Sequence, residues 1–226
     1  TLFLGGLGNL TAFDESASED VLQRDRDQQL AVFEELVSLY RGGFHGFYMS
    51  PETAFPGRRQ PERERRLNHY FKEVCQGVKS ILEGIPILAS PATFYSAGKE
   101  EEVHDFLYYL LEDVPIDYMT PQDSIGTFGN HLETLEASFK VWQQLGRELG
   151  FHLWVNVESF QRAQVGTAQD FLPADFKRLA YQLANAQRVG EKIVSWEVPY
   201  FYSPLAGEAG MKLRRDYLDS IARGER

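Results

Sequence analysis

Short nonpolar runs alternate with longer amphipathic stretches along this chain, and this alternation restricts the folds that the chain can adopt. The nonpolar runs cover residues 2–7, 44–49, 85–89, 116–120, 152–157 and 193–198. The stretches between them cover residues 25–41, 64–83, 101–113, 132–150 and 173–190, with nonpolar side chains at i, i+3, i+4 and i+7. That period is typical of helices. Strands that alternate with helices in this way predict βα units and a parallel sheet.

The spacing of the predicted strands favours an α/β fold of the (β/α)8 or TIM-barrel class. Successive strand ends are separated by a βα unit of about 30 residues with loops added. A closed barrel needs eight strands, and six are visible. We therefore expect that residues 1–226 form one N-terminally incomplete TIM-barrel domain, with the first two βα units missing from this chain. A six-stranded doubly wound sheet is the alternative, but the sequence has no G-x-G-x-x-G fingerprint.

The net charge argues against nucleic acid as a binding partner. The formal charge is −10 and the pI is about 5.0, so a nucleic-acid backbone would be repelled. The basic stretch at 58–66 is interleaved with Glu62 and Glu64, which is typical of a solvated, salt-bridged helix start. The alternative is a basic patch beside the site that favours acidic sugars. No run of 18 nonpolar residues occurs, so no membrane span is expected.

The cysteine and histidine content does not indicate a metal site. A single cysteine, Cys75, excludes an intramolecular disulfide, and its helical context predicts a buried structural thiol. The five histidines are scattered along the chain and form no recognisable zinc motif. We expect no metal and no organic cofactor.

Glu158 is the first candidate for chemistry. In the predicted strand 152–157, Leu153, Val155 and Val157 suit packing against outer helices, whereas Trp154 and Asn156 belong to the opposite face. Glu158 continues that second face, which in a barrel points towards the axis. A carboxylate buried there without a partner is costly, so catalysis or ligand binding is favoured over a structural ion pair or a helix cap.

Other predicted strand ends supply further candidates. Glu52 follows the strand 44–49 after a proline, and Tyr48 could orient it by a hydrogen bond. Gln122 and Asp123 follow another strand and suit the recognition of hydroxyl groups, although Asp123 could equally form a turn or a cap.

Aromatic side chains are frequent near these strand ends and make up 13% of the chain. The segment VSWEVPYFYSP carries Trp196, Glu197 and Tyr202. Aromatic rings provide rigid nonpolar surface on which a sugar ring can stack. Together with two carboxyl groups in one cleft, which are the groups needed for glycoside hydrolysis, they predict a carbohydrate as the binding partner.

Four segments, HGFYMSPE, VPIDYMTPQDSIG, LWVNVESF and SWEVPYFYSP, resemble a bacterial domain-of-unknown-function family of glycoside-hydrolase-like TIM barrels. The resemblance runs from about residue 3 to the terminal segment MKLRRDYLDSI. It implies a secreted protein, in the periplasm or outside the cell.

The arrangement is also similar to the clan A glycoside hydrolases. That resemblance implies that Glu52 is the acid/base, Glu158 the nucleophile and Trp196 a sugar platform. The usual asparagine before the acid/base is Pro51 here. The combined hypothesis is a retaining glycoside hydrolase whose substrate-binding residues are Tyr48, Gln122, Asp123, Trp154, Asn156, Trp196, Glu197 and Tyr202. One alternative is a non-catalytic carbohydrate-binding barrel in exopolysaccharide processing or assembly. Another is a different enzyme with its site at the barrel axis, such as a lyase or an isomerase.

Overall fold

Six parallel strands form the central sheet. The computed structural model describes residues 1–7, 18–53, 56–92, 98–129, 132–163 and 171–224. The strands of the sheet are β1 (Phe3–Gly5), β2 (Gly46–Met49), β3 (Ile87–Ala89), β4 (Tyr118–Met119), β5 (His152–Val157) and β8 (Lys192–Ser195). They are paired in this order, and every pairing is parallel. This is the strand order of a (β/α) barrel, with β1 and β8 at the two edges of the described sheet.

Helices connect successive strands, as the periodicity predicts. The long helices are α1 (Glu19–Tyr40), α2 (Pro61–Ile81), α3 (Glu100–Leu111), α5 (Leu135–Leu149), α6 (Phe176–Ala186) and α8 (Gly207–Ala222). Two four-residue helices, α4 (Ile125–Phe128) and α7 (Val198–Phe201), follow β4 and β8. Local signals set some of the boundaries: Pro61 occupies the first turn of α2, and the Asp175 carboxylate accepts the N–H groups of Lys177 and Arg178 at the start of α6.

The core lies between the sheet and the helices. Phe33, Phe71, Ile87, Trp142 and Leu145 are each at most 2% exposed and belong to one nonpolar cluster. A second cluster contains Val155 and Val157 of β5 together with residues of α6 and α8. Leu153 is also buried, so the expected outward packing of the odd residues of β5 is confirmed.

The alternation of strand and helix gives the right fold class, but it does not predict one element. After β5 the chain forms an antiparallel hairpin of β6 (Phe160–Arg162) and β7 (Phe171–Pro173), whose strands pair only with each other among the described residues. These strands have three residues each, too few for a clear period-two pattern. The proposal that two βα units precede residue 1 stays a prediction.

Among the described residues, no helix combines the length and the nonpolar character that a membrane crossing requires. In the same part of the chain, His, Cys, Asp and Glu side chains do not form a group of three or more that could hold a metal ion.

The packing of α5 against the sheet can be tested with Leu145, which is fully buried. We expect Leu145→Ala to lower the free energy of unfolding by about 2–5 kcal/mol, because it removes buried methyl groups and leaves a cavity. Leu39→Ala is the matched control, because Leu39 is 62% exposed on α1. We expect it to change the free energy of unfolding by less than about 0.5 kcal/mol. Equal effects of the two substitutions in denaturant unfolding would contradict this packing.

Candidate active site

A cavity of about 480 Å³ lies at the carboxyl ends of the strands, where the loops after β2, β3, β4, β5 and β8 meet. This volume is within the range of small-molecule sites. Six of the residues singled out from the sequence line it: Tyr48, Glu52, Gln122, Asn156, Glu158 and Trp196. The two glutamates, which are 106 positions apart in the numbering of the chain, therefore share one cavity.

Glu158 follows β5 directly, and its carboxyl group is held by Thr127 of α4. The Thr127 backbone N–H donates to Glu158 Oε2 at 2.7 Å, and the Thr127 hydroxyl donates to Oε1 at 2.7 Å. Only 2% of Glu158 is exposed. A backbone N–H can only donate, so this arrangement suits an ionised carboxylate.

The approach of α4 to Glu158 depends on glycine at position 126. A Cβ atom built on Gly126 would lie 2.0 Å from the Phe160 carbonyl oxygen and 3.1 Å from Glu158 Oε2. Ser124, just before α4, adopts φ 55° in the left-handed region that non-glycine residues rarely enter. The sequence DSIGT thus turns the chain sharply after β4 and brings the Thr127 donors to the carboxylate.

Opposing effects act on the pKa of Glu158. Burial raises it above the usual value and is the largest effect; the hydrogen bonds from Thr127 and the positive charge of Arg178 oppose the rise. Desolvation outweighs the donors that favour the charged form, so the pKa of Glu158 is raised in spite of the hydrogen bonds from Thr127.

Glu52 has a different environment at the rim of the cavity. The residue is exposed to solvent overall, but the surrounding protein raises the pKa of its carboxyl group by desolvation, and a hydrogen bond with Gln122 opposes this rise. Tyr48 is half-buried beside it, and burial together with the charge of Glu52 raises the pKa of the Tyr48 phenol to about 12. Glu52 is thus the more accessible of the two acids.

Polar groups of neighbouring strands form one wall of the cavity. The Gln122 amide donates to the Ser90 carbonyl at 3.0 Å, and the Asn156 amide donates to Ser90 Oγ at 3.2 Å. Two other buried atoms of this wall, Asn156 Oδ1 and Thr120 Oγ1, have no hydrogen-bond partner among the described residues. Buried polar groups are normally paired, so these two atoms keep unused hydrogen-bonding capacity just beneath the cavity surface.

Aromatic side chains form another part of the cavity lining. Phe160 of β6 and Phe171 of β7 have ring centroids 4.6 Å apart, and Trp196 lies 5.1 Å from Phe160. All three line the cavity, and Trp196 is 44% exposed. The cavity therefore combines a nonpolar surface with a polar one.

Two predicted ligand-binding residues, Asp123 and Trp154, lie outside the cavity lining. Asp123 is 3% exposed, because the turn after β4 directs it under Glu158, where it accepts the Glu158 backbone N–H at 3.3 Å. Trp154 does face the inside of the sheet, but nearer the amino ends of the strands. Its ring packs against Tyr118 at 4.7 Å and lies 4.2 Å from Lys192 Nζ, so it stands below the cavity.

Glu197 and Tyr202 also lie outside the cavity lining. Glu197 is exposed and adopts φ 52° where the chain turns from β8 into α7. Tyr202 packs 5.6 Å from Tyr217 of α8 and lines a separate groove between α6 and α8. Helix α7 therefore separates Tyr202 from Trp196, whereas Glu197 follows Trp196 directly and does not line the cavity.

Structural interpretations of two other sequence features are confirmed. The Arg59 guanidinium donates to the buried Glu64 carboxylate at 2.6 Å at the start of α2, as expected for a salt-bridged helix start. Cys75 is fully buried, and burial raises the pKa of its thiol to about 12.

Sequence reasoning did not single out eight other residues of the cavity lining: Leu88, Ser90, Thr120, Thr127, Phe160, Phe171, Val194 and Ser195. Ser90 directly follows a predicted strand and Thr120 ends one, so their positions carried a usable signal. Phe160 lies two positions after Glu158 and continues its alternation. Thr127 and Phe171 depend on the short helix α4 and on the hairpin, which short sequence patterns do not reveal.

A family model described as "Domain of unknown function (DUF4434)" matches residues 2–208. The chain belongs to the DUF4434 family. No curated protein matches it.

Solved structures of glycoside hydrolases share the fold of this DUF4434 chain. It is similar to a putative alpha-L-fucosidase from Bacteroides thetaiotaomicron VPI-5482, with a TM-score of 0.73 and 22% identity over 89% of this chain and 64% of that one. A GH18 chitinase from Pseudoalteromonas aurantia has a TM-score of 0.54 and 11% identity, over 98% of this chain and 75% of the other. The intracellular xylanase TsXylA from Thermoanaerobacterium saccharolyticum JW/SL-YS485 has a TM-score of 0.50 and 16% identity, over 80% of this chain and 57% of that one. At these identities the likeness establishes the fold alone, a partial (β/α) barrel.

The close approach at position 126 can be tested by adding one methyl group. We expect Gly126→Ala to lower the free energy of unfolding by about 1–3 kcal/mol, because the new Cβ overlaps a backbone oxygen and α4 must move away from Glu158. Gly5→Ala is the control, since its Cβ would meet Tyr48 and Ser50 at ordinary distances of 3.5 and 3.6 Å. Denaturant unfolding of both variants measures the difference, and a Gly126→Ala protein as stable as Gly5→Ala would contradict the geometry.

Proposed function

We propose that this DUF4434 protein is a retaining glycoside hydrolase in which Glu158 is the nucleophile and Glu52 the acid/base. The observation that carries the proposal is the shared cavity of two glutamates in unlike environments, one buried and held by donors, the other near solvent. Glycoside hydrolysis needs two carboxyl groups with different roles, and different environments give them different protonation states.

In the first step, Glu52 donates its proton to the glycosidic oxygen while Glu158 attacks the anomeric carbon. The bond from that carbon to the leaving oxygen breaks, and an ester bond to Glu158 forms. The raised pKa of Glu52 favours the protonated form that this step requires. The Thr127 hydrogen bonds keep the Glu158 carboxylate in one orientation before attack.

In the second step, water attacks the anomeric carbon, and its proton passes to the Glu52 carboxylate. Glu158 leaves as a carboxylate, and the sugar keeps its original anomeric configuration. We favour this route over inversion because Glu158 is nearly buried, which leaves little room for a water molecule between it and the sugar. The anomer formed first, observed by proton NMR, distinguishes the two routes.

The composition of the cavity walls supports a glycoside as substrate. The amide side chains of Gln122 and Asn156, which line the cavity, suit sugar hydroxyl groups, and Trp196 offers a surface for the C–H face of the ring. The fucosidase, chitinase and xylanase among the structural neighbours act on glycosides according to their descriptions. The chain spans 64% of the first of them, so the activity of the whole protein is part of the proposal. Export to the periplasm or the exterior, which the family resemblance implies, stays a prediction.

Substitution of each acid by its amide tests the catalytic assignment. We expect Glu158→Gln and Glu52→Gln each to lower kcat on a natural glycoside by at least about 10³-fold, because the amides can neither attack nor donate a proton effectively. The thermal unfolding midpoint should change little. Glu35→Gln, at an exposed position of α1, is the control and should keep wild-type kcat.

The leaving group separates the two roles. With an aryl glycoside whose phenol leaves without protonation, Glu52→Gln should release a burst of phenol, whereas Glu158→Gln should remain inactive. Full activity of either variant on the natural glycoside would refute its assignment.

The acid/base assignment also predicts a pH effect of Gln122. The hydrogen bond from Gln122 lowers the pKa of Glu52, so Gln122→Leu should raise that pKa. Because Glu52 must be protonated for the first step, the basic limb of the kcat/KM profile should move to higher pH. A basic limb that moves to lower pH, or stays in place, would argue against Glu52 as the acid.

A non-catalytic carbohydrate-binding protein is the second candidate. It is favoured by Glu158 being 2% exposed with both oxygens already accepting hydrogen bonds from Thr127, and by proline in place of asparagine before Glu52. Calorimetric binding of an oligosaccharide that the wild-type protein leaves uncleaved would support this alternative.

A further inference from the structure

Asp123 and Glu158 form a pair of acidic side chains at the junction of α4, β5 and α6. Asp123 Oδ1 accepts the Glu158 N–H at 3.3 Å and the Ile125 N–H at 3.2 Å. The side chain is 3% exposed and Glu158 is 2% exposed. The Asp123 carboxyl group therefore contacts the backbone of the proposed nucleophile while lying outside the cavity lining.

The charges around Asp123 and Glu158 favour a state in which one of the two carboxyl groups is protonated and the other is ionised. Glu158 receives two hydrogen bonds from Thr127, both of which suit its ionised form. Arg178 of α6 adds a positive charge that acts on both carboxyl groups. Two ionised carboxylates beside one guanidinium group would leave an uncompensated negative charge in a buried place, which is costly. Burial and the charge of Glu158 accordingly raise the pKa of Asp123.

Gln182 of α6 provides a partner for that proton. Its Nε2 lies 2.5 Å from Asp123 Oδ2, which is short for an N–H···O hydrogen bond and ordinary for an O–H···O hydrogen bond. The same Nε2 lies 3.4 Å from the Glu158 carbonyl oxygen, a long contact that rotation of the amide would give up. Gln182 is fully buried, and its Oε1 has no hydrogen-bond partner among the described residues. Rotation of the amide exchanges its two ends, so a protonated Asp123 can donate to Gln182 Oε1.

We propose that Asp123 is a positioning residue that works as a neutral carboxylic acid. Oδ1 holds the Glu158 backbone at the end of β5, and the proton on Oδ2 is donated to Gln182. This leaves Glu158 as the ionised member of the pair. The proposal rests on the proposed function for the role of Glu158 as nucleophile, but the protonation of Asp123 can be measured without substrate.

Asp123→Asn is the decisive variant, because asparagine has the shape of the protonated acid and carries no charge. A group whose pKa is raised on folding contributes stability at low pH and loses it as the pH rises through the folded-state pKa. The thermal midpoint of the wild type, relative to that of Asp123→Asn, should therefore fall as the pH rises from about 4, the ordinary value for aspartate. The relative midpoint of an ionised, ion-paired Asp123 would instead increase with pH, and that result would overturn the proposal.

Carbon NMR of the wild-type protein labelled at its aspartate carboxyl groups gives the same information if Asp123→Asn does not fold. One buried carboxyl carbon should keep the chemical shift of a protonated acid at pH values where the surface aspartates are ionised. A spectrum in which every aspartate is ionised under those conditions would rule the proposal out.

Kinetics test the positioning role. Asp123→Asn should keep kcat/KM within about threefold with an unchanged acid limb, whereas Asp123→Ala should lower kcat by about 10²-fold with little change in KM, since misplacement of a reacting group costs about that much. Equal kcat for both variants would exclude positioning. If the wild type cleaves no glycoside, the proposed function fails, while the stability and NMR measurements still decide the protonation state of Asp123.

Discussion

The burial of one carboxylate, Glu158, sets the requirements for much of the structure around it. A carboxylate that is 2% exposed needs donors, and here they come from Thr127. Thr127 can approach only because position 126 lacks a Cβ atom and because Ser124 accepts a left-handed conformation. The turn from Asp123 to Thr127 is therefore constrained by the chemistry of a residue that directly follows the next strand, β5.

The barrel supplies the other half of this arrangement. Parallel strands in sequence order bring all of their carboxyl ends to one rim, so Glu52 and Glu158 meet although they belong to strands that are not neighbours. The inward and outward alternation of β5 also separates two tasks. Its valines pack against α6 and α8, while Asn156 and Glu158 line the cavity.

The sequence was most informative where a pattern repeats. The helical periods and the six nonpolar runs predict the sheet, and the strand ends predict six residues of the cavity wall. It was least informative where one turn decides the direction of a side chain. Asp123 and Gln122 are adjacent, yet one lies under Glu158 and the other lines the cavity. Tyr202 is likewise directed away by α7, and the hairpin strands are too short to leave a periodic signal.

The hairpin of β6 and β7 has a consequence for how this cavity can diversify. Its strands pair with each other and not with the described central sheet, and yet Phe160 and Phe171 form part of the cavity wall. Insertions, deletions or substitutions within this hairpin leave the register of the parallel strands unchanged. Changes beyond Phe160, whose carbonyl group lies against Gly126 of α4, can therefore reshape the aromatic wall without altering the central sheet.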